Sequence, residues 1–341
     1  MNHTPGTAAH YERSKRFSIA PMMACTDRHA RYLMRCLSKH ALLYTEMVTT
    51  GAIIYGDVPR HLNFHEVEHP IAAQLGGSNP DELAQSARVV ESYGYDEVNL
   101  NVGCPSDAVQ RGCFGAALMA RPELVADCVR AMRDAVGIPV TVKCRIGIDD
   151  LDSYDHLHGF ITTVANAGCD TFIIHARKAW LKGLSPKQNR ELPPLRYDVV
   201  HRLNADFPEI QFMLNGGLKT LAQVEEQANG LAGAMMGREA YGNPYILADV
   251  DEQVFGVRNT PPSRRDVVRQ MHEYLQGECA KGTRASHVLR HMLGLFQGTP
   301  GARQWRRTLS AQMHEKGAGP EVLDHALAAL DETAAIVRSA A

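Results

Sequence analysis

The sequence predicts an α/β protein, a (β/α)8 TIM barrel followed by a small all-α helical-bundle domain. Three observations carry that expectation. Eight short apolar, β-branched runs recur between residues 17 and 238, each separated from the next by a stretch with helix start and stop signals. The runs are nearly continuous rather than alternating, as in parallel strands buried on both faces. Beyond a polar double-proline segment at 258–263 such runs vanish and only helical patterns remain.

In chain order the strand candidates are FSIA at 17–20, LLYTE at 42–46, IAAQL at 71–75 and DEVNLN at 96–101. They continue with PVTVKCR at 139–145, TFIIHAR at 171–177, QFMLNGG at 211–217 and AGAMMGR at 232–238. Eight strands alternating with helices favour a closed barrel over an open sheet. Asn79-Pro80-Asp81-Glu82 supplies a cap residue, a proline at the first helical position and acids in the first turn. Arg121-Pro122-Glu123 opens another helix, and Gly94 and Gly168 stand just past helix ends. The double proline Pro261-Pro262 stops a helix and marks the boundary, giving a barrel over 1–260 and a helical domain over 261–341. Helices are expected there near 264–280, 284–297, 302–315 and 320–338.

The chain has 341 residues, 45% hydrophobic and 22% charged, the balance of a soluble globular protein. Its first residues lack the apolar core of a signal peptide, and no run is long and apolar enough to span a bilayer. A soluble, cytoplasmic, monomeric protein is expected. Eight cysteines occur with no CxxC pair, which speaks against zinc and iron–sulfur sites. Charge is uneven: residues 261–320 carry 10 Lys and Arg against 4 Asp and Glu. By charge alone that excess suits the solvated face of ordinary helices first, and a polyanionic partner second.

Chemistry in a barrel gathers where strands end at the C-terminal face. The unusual polar residues of this chain fall there in succession. Gly216-Gly217 and Gly237 follow the last two strands, where backbone N–H groups can approach a phosphate unhindered, and Arg238 adds a charge. Lys143 ends an apolar strand, either paired with a barrel carboxylate or placed beside a group that becomes anionic, such as the edge of a reduced flavin. His175 can be a satisfied core histidine or a ligand-binding group. Gln74 offers a donor and an acceptor together, which suits a ring edge bearing carbonyl and N–H groups. Cys104, in a Gly-Cys-Pro turn after strand four, is a loop cysteine or a thiol able to deliver a proton. A Rossmann fingerprint and a Walker A run are both missing, so a nicotinamide donor has no dedicated cradle.

In the helical domain Arg284, His287, Arg290 and His291 are spaced to share one helix face. Arg303, Arg306 and Arg307 repeat the arrangement around Trp305. A basic face with an aromatic suits RNA.

Taken together, the chain resembles the tRNA-dihydrouridine synthases, most closely their A subfamily. The resemblance rests on Ala20-Pro21-Met22-Met23 with Thr26-Asp27-Arg28, on Gln74-Leu75-Gly76-Gly77, and on Asn99-Leu100-Asn101-Val102-Gly103-Cys104-Pro105-Ser106. It continues through Val142-Lys143-Cys144-Arg145, His175-Ala176-Arg177, Asn215-Gly216-Gly217 and Met236-Gly237-Arg238. It runs from about residue 17 to about 310, and departs from the family pattern at Cys25, Ala108 and Cys113. The resemblance implies FMN held by Pro21, Met22, Met23, Gln74, Lys143, His175, Asn215, Gly216, Gly217, Gly237 and Arg238. It implies Cys104 as the proton donor and NADPH as a transient hydride donor. It further implies tRNA contacts by Asn101, Lys187, Arg190, Arg303 and Arg306, with D-loop positions 20 and 20a as the targets. Other FMN barrels that reduce free small molecules share the flavin site but have no use for a basic helical tail.

Overall fold

The computed structural model describes residues 7–106, 109, 112–258 and 260–339; Ala108 and Asn259 fall outside them. Eight parallel strands form one sheet: β1 (Phe17–Ile19), β2 (Leu43–Thr49), β3 (Ile71–Gly76), β4 (Glu97–Val102), β5 (Val140–Arg145), β6 (Thr171–His175), β7 (Gln211–Asn215) and β8 (Gly233–Met236). All eight predicted strands are present. β1 pairs with β8, and the sheet closes where Ile19 N donates to Leu42 O at 2.9 Å and Leu42 N to Phe17 O at 3.0 Å. Closure leaves no free edge and buries each strand on both faces. Every residue of β3 and of β4 is accordingly buried, which is why these runs read as continuous rather than alternating. Gly233 starts β8 because a Cβ there would stand 2.0 Å from Lys15 O.

The connecting helices form as their signals suggest. Helix Pro80–Ser92 begins where the Asn79 side chain accepts from Asp81 N and Glu82 N. The barrel floor is plugged by Tyr11 from helix Thr7–Ser14 together with Tyr44, Leu42 and Met213, all buried.

The contacts divide the chain into two compact units. The first holds the residues up to Ala24 and His40–Gly237; the second holds Cys25–Lys39 and the chain from Arg238 onward. Residues 238–260, expected to belong to the barrel domain, therefore group with the helices, as does helix Arg28–Leu37, which follows β1 in the chain. Side chains explain the regrouping. Ser38 Oγ and Lys39 N donate to the Asp251 carboxylate at 2.6 and 2.8 Å, and Tyr32 stacks on Tyr274 with ring centroids 3.9 Å apart. An amphipathic helix shows in sequence that it buries a face, but not against which neighbour.

In the second unit, helix Arg264–Ala280 starts at Ser263, whose capping box with Asp266 ends the proline segment as predicted. Asp27 is the electrostatic centre of this unit. It caps helix Arg28–Leu37 by accepting from His29 N and Ala30 N, at 3.0 and 3.1 Å, and takes further bonds from Arg290 and His291. Those bonds, His291 first, hold its carboxyl well below the usual range despite its burial. Replacing Asp27 by Ala is expected to cost about 3 kcal/mol, from the lost cap and the stranded partners Arg290 and His291. Because the carboxyl is depressed, its contribution is present above the unfolded-state value and lost as pH falls. Urea denaturation should show parent and variant converging in strong acid; a constant difference would refute this assignment.

Candidate active site

Period-two alternation along β4 turns Glu97, Asn99 and Asn101 inward. They form a polar spine from floor to mouth. Tyr11 and Tyr44 hydroxyls each donate to the Glu97 carboxyl at 2.6 Å, and Thr141 Oγ1 donates at 2.5 Å. Asn99 Nδ2 donates to Thr141 Oγ1 at 2.7 Å, and Gln74 Nε2 donates to Asn99 Oδ1 at 2.8 Å. Asn101 Nδ2 then donates to Gln74 Oε1 at 2.8 Å, while its Oδ1 accepts from Gly103 N at 3.1 Å and Cys104 N at 3.0 Å. Burial pushes the Glu97 carboxyl and both tyrosine hydroxyls upward. Sequence reasoning missed Glu97, and it gave Asn99 a place in a motif but no role. Their signal was three polar residues at alternate positions in a strand that is otherwise apolar.

Lys143 projects from β5 and donates to Asn215 Oδ1 at 3.0 Å; Asn215 Nδ2 donates in turn to Met235 O at 2.7 Å. The carboxylate partner that sequence left open is not what the ammonium meets. Burial first, and the Arg145 cation second, push Lys143 down to about 8. His175 is pushed well below its ordinary value by burial, then by Arg145, Lys143, Arg177 and Arg190, all of them cations. Its Nδ1 is buried without a partner among the described residues. A neutral imidazole with an orphaned nitrogen, beside a cation that meets no carboxylate among the described residues, fits an anionic, hydrogen-bonding cofactor.

After β7, Gly216 and Gly217 take φ values of 118° and 72°, and a Cβ on Gly217 would come within 2.4 Å of Leu195 Cδ1. Only glycine keeps that turn unstrained. Gly237 follows β8 directly, and Arg238 is exposed at the start of helix Arg238–Gly242 in the second unit. Pro21 and Met22, after β1, are half-buried and Met23 is exposed. The barrel thus gathers Met22, Gln74, Asn101, Lys143, His175 and Asn215 at its strand ends.

Cys104 is half-buried, with Sγ 3.5 Å from Ser106 Oγ, and its carbonyl accepts from Ala116 N at 2.9 Å. Cys113, one of the departures from the family pattern, is exposed with φ of 56°. Lys187 and Arg190 are exposed around the short helix Gln188–Arg190.

Two expectations for the second unit need correction. Trp305 is fully buried, donating Nε1 to Met292 O at 2.9 Å and packing on Phe296 at 4.6 Å between centroids. It is a core residue and presents no stacking surface, although Arg303, Arg306 and Arg307 around it are exposed. The helix expected over 284–297 stops at Leu289 and tightens into the turn Arg290–Met292. The chain must pass Gly294 there, where a Cβ would meet Gly242 O at 2.1 Å. Arg290 and buried His291 consequently turn to Asp27, and only Arg284 and His287 of that face are exposed.

The family model described as Dihydrouridine synthase (Dus) matches residues 18–333, spanning both units. The chain belongs to this family. Family members of similar sequence include the tRNA-dihydrouridine(20/20a) synthase of Shigella flexneri, 59% identical over 92% of this chain and 93% of that protein. Those of Escherichia coli K12, 59% identical over 92% and 91% of the two chains, and of Vibrio cholerae, 56% identical over 92% and 96%, carry the same name. Among solved structures, a 2-naphthoyl-CoA reductase complex shares the fold with a TM-score of 0.52 at 10% identity, covering 70% of this chain and 50% of that one. Membership extends the dihydrouridine synthase pattern through the helical unit and not only the barrel.

Proposed function

We propose that this protein reduces uridines of tRNA to 5,6-dihydrouridine, with FMN bound in the barrel mouth and NADPH as the transient donor. The observation that carries the reading is the Lys143–Asn215 pair at the strand ends, with His175 Nδ1 buried and without a partner among the described residues, and the Cys104 turn held by Asn101. The (20/20a) in the names of the relatives supports D-loop positions 20 and 20a as targets. FMN would be held by Pro21, Met22, Met23, Gln74, Lys143, His175, Asn215, Gly216, Gly217, Gly237 and Arg238. When bound and reduced it supplies the hydride that uracil takes at C6.

The protein's own groups do the rest. Lys143 sets a positive charge where negative charge develops, in a setting with little competing water. Cys104 delivers the proton to C5 from a half-buried turn. The target base leaves its stack to reach these groups, and Asn101, Lys187, Arg190, Arg303 and Arg306 are assigned to the tRNA. Asn101 does so with its amide already committed to Gln74 and the cysteine turn. Among the described residues no helix is long and apolar enough to cross a membrane; the proposal places the protein in the cytoplasm as a monomer.

The test is incubation of the purified protein with FMN, NADPH and unmodified tRNA, followed by mapping of dihydrouridine. New dihydrouridine at 20 and 20a supports the proposal; a reconstituted protein that binds no FMN, or leaves every uridine intact, overturns it. Arg303→Ala with Arg306→Ala is expected to flatten the salt dependence of tRNA binding by roughly two units of logarithmic slope, one per phosphate contact. FMN content should not move. An unchanged slope would assign both arginines to solvent.

A further inference from the structure

The Arg145 guanidinium ends β5 almost fully buried, yet among the described residues its hydrogen bonds go to no acid. Nε donates to Gly103 O at 2.8 Å, and Nη1 donates to Lys178 O and Asn189 O, both at 3.1 Å. Its acceptors are therefore backbone carbonyls of two loops. One loop carries Cys104; the other runs from Lys178 to Arg190.

That second loop is organised from within by a single buried side chain. Asn189 Nδ2 donates to Trp180 O at 2.9 Å and Leu184 O at 3.1 Å, and its Oδ1 accepts from Trp180 N at 2.8 Å. Asn189 lies between Lys187 and Arg190, the exposed cations assigned to the tRNA. A planar guanidinium with fixed donors holds carbonyls at set angles, as a lysine on a flexible stem does not.

We propose that Arg145 and Asn189 are positioning residues that make the RNA-gripping loop and the cysteine turn one mechanical piece. The grip of Lys187 and Arg190 on the substrate then sets where the Cys104 thiol stands. This rests on the function proposed above. The coupling itself can be read without tRNA.

The experiment compares Asn189→Ala, Arg145→Lys and the double variant in the full-length protein. Two readouts are used: the rate at which iodoacetamide alkylates Cys104, resolved by peptide mass spectrometry, and the kcat and KM for tRNA reduction. Asn189→Ala leaves every charge in place. It is expected to change the Cys104 alkylation rate several-fold and to lower kcat by up to about a hundredfold, as small misplacements of a reacting group do. FMN reduction by NADPH should stay at the parental rate. The double variant should match the worse single variant, since both cut one linkage. Effects that multiply, or an Asn189→Ala protein that raises KM with Cys104 alkylation and kcat unchanged, would overturn the proposal. If Arg145→Lys does not fold, the Asn189→Ala alkylation rate still decides. If the parent reduces no tRNA but the alkylation rates are coupled, the function fails and the linkage stands.

Discussion

Cys104→Ala is expected to retain FMN and its reduction by NADPH, yet lose tRNA reduction by about a hundredfold to ten-thousandfold, the usual worth of a positioned general acid. Geometry gives the reason. The cysteine turn is held by backbone bonds, Cys104 N to Asn101 Oδ1 at 3.0 Å and Ala116 N to Cys104 O at 2.9 Å, and none of these uses the sulfur. Removing Sγ takes away the proposed proton donor and leaves the turn intact. Lys143 and Asn215 keep their own bonds, so the cofactor half-reaction should proceed at the parental rate. Stopped-flow measurement of flavin bleaching by NADPH, set beside dihydrouridine formation, separates the two. Equal dihydrouridine yield in variant and parent would give the proton at C5 to another acid.

Lys143→Met is expected to weaken FMN binding roughly tenfold to a hundredfold, the worth of one charge-assisted bond of about 1.5–3 kcal/mol. It should also remove a pH dependence. In the cofactor-free protein Lys143 loses its proton as pH rises through about 8, against an ordinary value of 10.5, because burial disfavours the cation. The parent's affinity for FMN should therefore fall as pH rises through about 8, and the variant's should stay flat. Stability moves the opposite way. A depressed lysine means that the folded state carries the cost of a desolvated cation below about 8, so the cofactor-free parent gains stability as pH climbs from there toward 10.5. The methionine variant lacks that rise. Fluorescence titration with FMN across this range, with melting curves of the same samples, checks both signs; parallel curves for parent and variant would refute the role given to Lys143.

The strands were legible because burial on both faces of a closed barrel leaves one sequence pattern, and all eight runs bear it. The family was legible because its motifs are strand ends, where chemistry is set by residue type: Asn101 to Cys104, Lys143, His175 and the glycines of two turns. Glycine is nearly forced at 217, since a Cβ there would meet Leu195 at 2.4 Å with φ at 72°. Such local necessities survive in a bare sequence.

What sequence could not settle is which partner a residue chooses. The spacing of Arg290 and His291 matches an RNA-facing stripe, but both turn inward to Asp27, 263 and 264 positions away in the chain. Trp305 sits between exposed arginines in the sequence and inside the core in space. Helix Arg28–Leu37 follows a barrel strand and packs with the helical unit. Glu97 reads as a strand acid and proves to be the floor of a hydrogen-bonded spine that ends at the cysteine turn. In each case the deciding term is the pairing of a buried polar group or an apolar face with a partner remote in sequence. Local pattern declares that a partner is needed, and only the tertiary structure, which brings distant segments together, decides which one it is.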